Sequence, residues 1–112
     1  MNGCLFCKIA AGDIPATVVA QDDRFIAFRD IDPQAPTHVL VIPRTHVASL
    51  NEVREPEMLG ELLLFARAVA QDEGLGERGY RVVLNTNAEA GQSVFHLHAH
   101  VLGGRAMRWP PG

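Results

Sequence analysis

The chain has 112 residues, with 10 lysines and arginines against 13 acids and a formal net charge of −3 with histidines neutral. That balance excludes a protein that coats nucleic acid or lies on an anionic membrane surface, and no apolar run approaches membrane-spanning length. An apolar fraction of 47% suits one globular domain with a modest core, taken here as residues 1–112 with an extended tail over 105–112. The first residues lack the long apolar region of a secretory signal, which points to a cytoplasmic chain whose two cysteines stay reduced unless a metal holds them.

Residues 4–11 read as a short helix with an apolar side of Leu5, Phe6 and Ile9, closed by Gly12. Gly12-Asp13-Ile14-Pro15 is a turn. Residues 17–21 form a β-branched strand, Asp22-Asp23 a turn, and residues 24–31 a second strand with Phe25, Ala27 and Arg29 on one face and Ile26, Phe28 and Asp30 on the other. The pair predicts an antiparallel hairpin. A loop with prolines at 33 and 36 leads into residues 37–42, whose near-continuous apolar character predicts a central, well-covered strand stopped by Pro43. Residues 44–54 form a connection with one helical turn.

Pro56 opens a long helix that runs to about Glu73, with Gly74 beyond its end. Met58, Leu59, Leu62, Leu63, Ala66, Val69 and Ala70 form a core stripe at helical spacing, and Leu64 and Phe65 widen it. A strand follows over 80–85 and a polar loop over 85–93. Residues 94–102, with His96, His98 and His100 alternating with Leu97, Ala99 and Val101, predict a strand with three imidazoles on one face. Gly103-Gly104 ends it, and an irregular tail carries the single tryptophan. Five strands, mainly antiparallel, with one short and one long helix make an α+β domain.

Three imidazoles on one strand face can hold a metal, or one can be a nucleophile while its neighbours handle protons and charge. The preceding loop favours the second use. The loop offers Gly91, Gln92 and Ser93, where Gly91 lets backbone N–H groups approach an anion and Ser93 offers a hydroxyl, and Asn85 supplies an amide, a set suited to phosphate. His98, flanked on both sides, is the natural nucleophile, and His100 is placed to bind phosphate and help protonate a leaving group. There is no P-loop with its lysine, which argues against magnesium-dependent NTPase chemistry. The pair Cys4-x-x-Cys7 has two readings at this level: small, half-buried helix residues, or two ligands of a metal.

The run His96-Leu97-His98-Ala99-His100-Val101-Leu102 matches the signature of the histidine-triad family, which the chain resembles over nearly its whole length. Leu5-Phe6, Lys8-Ile9, Ile14-Pro15, residues 28–31, residues 33–38, residues 91–94, Gly103-Gly104-Arg105 and Trp109-Pro110-Pro111-Gly112 are similar to the Hint branch of that family. The resemblance implies a HIT-like fold and a homodimer whose two sheets join into one of ten strands. It implies a purine nucleoside phosphoramidase that cleaves adenosine 5′-phosphoramidate-type P–N bonds through a covalent AMP-histidine. Alternatives are a dinucleoside polyphosphate hydrolase and a nucleotide-binding module with incidental hydrolysis. His98 would be the nucleophile and His100 the phosphate contact, with His96 and His38 tuning both. Asn85, Gly91 and Ser93 would serve the phosphate, with Gln92 beside them in the substrate site, Asp30 and Ile31 the ribose, and Leu5, Phe6, Ile9, Ile14 and Phe28 the base. No cofactor is required for catalysis. A structural zinc on Cys4, Cys7, His46 and His96 is implied by similar bacterial members of the family.

Overall fold

All four residues Phe25, Ile26, Ala27 and Phe28 are buried, although alternation sends them to opposite faces of one strand. A strand apolar on both faces needs cover on both. The computed structural model, which describes residues 3–112, supplies it from two helices. The elements in order are α1 (Leu5–Ala10), β1 (Val18–Gln21), β2 (Phe25–Arg29), β3 (Thr37–Pro43), α2 (Pro56–Asp72), β4 (Tyr80–Val83) and β5 (Ala99–Gly103). Single 3-10 turns at Leu50–Glu52 and Ala88–Ala90 lie in the connections. Met1 and Asn2, which the expected domain includes, lie outside the described residues.

The five strands form one antiparallel sheet in the order β1-β2-β3-β5-β4, with β3 in the centre as its apolar run predicts. Phe25 and Ala27 of β2, Val39 and Val41 of β3, and Ala99 and Val101 of β5 pack with Met58, Leu62, Ala66, Val69 and Ala70 of α2. On the other face, Ile26, Phe28, Leu40 and Ile42 pack with Phe6 of α1. Thus α2 closes the main core, and α1 covers part of the face that carries the histidines.

Three expectations are corrected. Leu63, assigned to the core stripe, is exposed, as is Leu64, because the sheet contacts only the face of α2 defined by Met58, Leu62, Ala66 and Val69. The strand expected over 94–102 begins only at Ala99. Val41 pairs with Ala99, so the next step of the ladder would meet Pro43, which has no N–H to donate. The expected strand over 80–85 ends at Val83. The two glycines after the histidine run are dictated by different neighbours. A Cβ on Gly103 would lie 2.5 Å from Leu75 Cδ1, and Gly104 has φ +92 with Pro36 against it. The tail after β5 has no regular structure; Arg81 donates to the Arg108 carbonyl at 2.9 Å and Trp109 stays exposed. No helix among the described residues is long and apolar enough to cross a membrane.

Candidate active site

The late start of β5 separates His96 from His98 and His100, whose rings stay together with centres 5.0 Å apart. His100 lies on the strand, paired with Leu40, which in turn pairs with Phe28, so the three share one row across the sheet. His98 precedes the strand and stacks edge-on against Phe6 of α1, with ring centres 5.0 Å apart. His96 is fully buried and turns towards the N-terminal cysteines, away from the other two. The expectation of three imidazoles on one strand face is therefore corrected: only His100 lies on β5, and His96 turns away from the other two.

Backbone groups set the proton on each ring. A carbonyl can only accept, so the 2.7 Å contact from His96 Nε2 to the Pro43 carbonyl puts the proton on Nε2. The lone pair of His96 Nδ1 then faces Cys4 and Cys7. His98 Nδ1–H donates to the His96 carbonyl at 2.6 Å, which leaves the lone pair on Nε2. In His38 the order is reversed. The backbone N–H of Gln34 donates to its Nδ1 at 3.0 Å, so the ring proton is on Nε2 and donates to His100 Nδ1 at 2.9 Å. His100 must then carry its own proton on Nε2. His98 thus presents an acceptor or nucleophile, and His100 presents a donor.

Both rings line a cavity of about 630 Å³, a size suited to a nucleotide-sized ligand. Its apolar side is built from Leu5, Phe6, Ile9, Phe28 and Leu40, and its polar rim from Asp30 and Ser93, with fully exposed Ile31 at the mouth. Of the expected contacts, Leu5, Phe6, Ile9, Phe28, Asp30, Ile31, Ser93, His98 and His100 are on the wall. Ile14 faces a separate shallow groove. Asn85 and Gly91 are off the wall, and Gly91 at φ +89 closes the 3-10 turn before Ser93. Gln92 is also off the wall: its buried amide accepts from the Asn87 N–H at 2.8 Å and donates to the Ala48 and Val94 carbonyls at 2.8 and 3.2 Å. Those bonds hold the loop in shape and leave the amide no free donor for a ligand. Leu40, Val94, Pro15, Ala16 and Thr17 also line the cavity without having been singled out. Leu40 was findable, since it lies two residues from His38 on a strand and so on the same face.

The electrostatics keep these imidazoles neutral. Burial lowers the pKa of His98, opposed by its bond to the His96 carbonyl and by the Asp30 charge. His100 is lowered to about 4, by burial first and then by its His98 and His38 neighbours. His38 is lowered by burial too, against the pull of Asp30 and Asp32. The Asp30 carboxylate bridges this group to the mouth: Oδ2 stands 3.4 Å from His38 Nε2 and Oδ1 accepts from the Asp32 N–H at 2.8 Å.

Behind the cavity, Cys4, Cys7, His46 and His96 bring four ligand atoms within 4.8 Å of one another. Cys4 Sγ and Cys7 Sγ lie 3.3 and 3.5 Å from His96 Nδ1, and Cys7 Sγ lies 3.3 Å from His46 Nδ1. Zinc with ordinary Zn–S and Zn–N bonds and tetrahedral angles has S···N edges of about 3.6 Å. The donor set, its spacing and the free Nδ1 of His96 therefore fit zinc. Burial, followed by the adjoining Cys4, raises the pKa of Cys7, so the thiolate form needs a cation beside it.

A family model described as HIT domain matches residues 11–107. A 14 kDa zinc-binding protein from Zea mays is 53% identical over 96% of this chain and 87% of its own length. The protein named adenylylsulfatase HINT1 of Arabidopsis thaliana is 48% identical over 96% of this chain and 76% of its own. Among solved structures, a HIT family hydrolase from Legionella pneumophila superposes with a TM-score of 0.96 at 57% identity, over 98% of this chain and 100% of the other. The chain belongs to the HIT, or histidine-triad, family, in its Hint branch.

Proposed function

We propose that this chain is a hydrolase of adenylylated compounds, and specifically a purine nucleoside phosphoramidase that releases AMP through a covalent AMP-His98. The observation that carries the proposal is the pairing of opposite tautomers in one cavity: a lone pair on His98 Nε2 beside an N–H on His100. His98 Nε2 attacks the α-phosphorus while its Nδ1–H stays on the His96 carbonyl, which supports the positive charge growing on the ring. The P–N bond breaks, and the amine leaves with the bonding pair and takes a proton from water in the open cavity. His100 Nε2–H donates to a phosphoryl oxygen, and Ser93 adds a second donor. Water then attacks the same phosphorus and loses a proton, and the His98 nitrogen departs with its electron pair. The sum is substrate plus water giving AMP plus amine.

Asp30 accepts from the ribose hydroxyls, and the apolar wall takes the base. Zinc on Cys4, Cys7, His46 and His96 would supply structural cross-linking only, joining α1 to the chain that carries the triad. The proposal includes a homodimer. Its support is that β4 stands at the edge of the sheet and that Leu63 and Leu64 are exposed apolar residues on α2.

The test is mass spectrometry of the intact protein, quenched in acid soon after mixing with an adenosine 5′-phosphoramidate. An added AMP mass, lost in His98→Ala while AMP binding survives, is the expected result. Unchanged turnover in His98→Ala would sink the proposal. Comparing kcat/KM on the phosphoramidate, adenylyl sulfate and diadenosine polyphosphate separates the leaving groups. A diadenosine polyphosphate preference would replace the phosphoramidase reading with its alternative. Tight AMP binding without turnover on any of them would leave a nucleotide-binding module.

A further inference from the structure

Arg105 lies just past β5 and is exposed, outside the cavity and outside the metal-ligand cluster. Its guanidinium nevertheless converges on one atom of the active-site periphery. Nε and Nη2 both donate to the Gln34 carbonyl, at 3.2 and 3.1 Å, across 71 residues of sequence. Nη1 donates to the Ala106 carbonyl at 3.1 Å, which anchors the other side of the fork. The chain around it is seated on the same loop, because a Cβ on Gly104 would come within 2.9 Å of Pro36 Cβ. Two independent contacts therefore press the turn after β5 onto residues 33–36.

Gln34 is the residue whose N–H holds His38. Pro33 before it and Pro36 two residues after it have fixed φ, so the freedom left to this loop lies in the peptide groups of Gln34 and Ala35. The N–H side is held by His38 Nδ1 and the C=O side by Arg105. Release of the C=O side would let the N–H swing away from His38. His38 could then carry its proton on Nδ1 and accept at Nε2, and His100 would follow with a proton on Nδ1. Its Nε2, the atom offered to the ligand, would then present a lone pair to a phosphate oxygen, replacing attraction by repulsion.

We infer that Arg105 is a positioning residue: by clamping the Gln34 carbonyl it fixes the proton on Nε2 of His38, and through it on Nε2 of His100, so that His100 faces its ligand as a donor. The Asp30 carboxylate, 3.4 Å from His38 Nε2, favours the same tautomer from the other side. Loss of Arg105 is therefore partial in effect. The kinetic consequence rests on the phosphoramidase proposal; the tautomers do not.

The experiment is imidazole 15N NMR on the full-length, zinc-loaded chain, with kinetics on the same samples. In the unaltered protein, His38 and His100 give the Nε2–H pattern and His98 the Nδ1–H pattern. Arg105→Ala averages the nitrogen shifts of His38 and His100 and leaves His98 as an internal control. Gln34→Pro, which deletes the N–H at the other end of the link, gives the same pattern. Arg105→Lys keeps a donor on the carbonyl and restores the pattern. If turnover is present, kcat/KM falls by about tenfold in Arg105→Ala and recovers in Arg105→Lys, as expected for misdirecting one phosphate donor. A wild-type imidazole spectrum in Arg105→Ala overturns the inference whatever the activity, and so does averaging in Gln34→Pro without averaging in Arg105→Ala. Averaging in a protein that turns over nothing upholds it and counts against the phosphoramidase proposal alone. Should Arg105→Ala fail to fold, Arg105→Gln removes the fork while keeping a polar chain, and an unchanged spectrum there is equally decisive against it.

Discussion

Imidazoles separated by two residues in sequence acquire different jobs from the groups that take their protons. The His96 carbonyl makes His98 an acceptor towards the cavity, the Pro43 carbonyl frees His96 Nδ1 for the cysteine cluster, and the Gln34 amide makes His100 a donor through His38. Keeping His100 neutral has a consequence for stability. Its folded pKa is about 4 against 6.5 for the free ring, so the unfolded chain binds more protons between those values. Stability is then complete above about pH 6.5, falls as pH drops towards 4 and levels below it, with solvent screening of this half-buried ring reducing the fall to about 1–2 kcal/mol. Urea midpoints measured from pH 7 to 4 should show that fall, with a shallower slope in His100→Asn; equal slopes would contradict the assignment. Phe6 joins the apolar side of the cavity to the histidine side, since its ring meets Phe28 at 5.5 Å and His98 at 5.0 Å. Phe6→Ala should cost about 3 kcal/mol of stability and weaken AMP binding, read by denaturation and calorimetry together.

At the scale of elements, α1 has six residues, far below the roughly 12–15 at which a helix begins to stand alone in water. Tertiary bonds hold it. Cys4 caps it by accepting the Cys7 N–H at 3.3 Å, and Phe6 is buried. Arg44 reaches the Ala10 carbonyl at 3.0 Å while also binding the Asp22 carbonyl and Gln21. Zinc would add a covalent tie between this helix and His96. Removal of metal by a chelator, or Cys7→Ser, should therefore raise hydrogen exchange across α1 first and leave α2 protected, and AMP affinity should fall with it. Exchange rising equally in both helices would show that the centre supports the whole fold instead.

The whole molecule divides its sheet by face. One face, closed by α2, is the core; the other, half covered by α1, is the site. The division depends on tight spots far from the histidines. Gly103→Ala would drive a methyl into Leu75, which is 2% exposed, and should cost about 1–3 kcal/mol by overpacking, read as a lower thermal midpoint. The proposed homodimer predicts a species of twice the chain mass in sedimentation at micromolar concentration. A monomer under those conditions would leave β4 an unpaired edge and argue against that part of the proposal.

The residues themselves determined the α+β class, the central place of β3 and the long amphipathic helix. These follow from alternation, helical spacing and turn residues, which are local properties. The motif His96 to Leu102 also singled out the candidate residues of the chemistry and, through its resemblance, the family. Tertiary structure decided what periodicity could not carry. Pro43, facing the missing end of β5, broke the ladder and separated His96 from its two companions. Gln92 was drawn into its own loop by carbonyls contributed from residue 48 as well as residue 94. Leu63 was left outside because the sheet touches a narrower stripe of α2 than its apolar residues cover. Most of all, which nitrogen of each ring carries the proton is set by backbone groups up to 53 residues away, and a hydrogen bond of that range has no signature until the chain has folded.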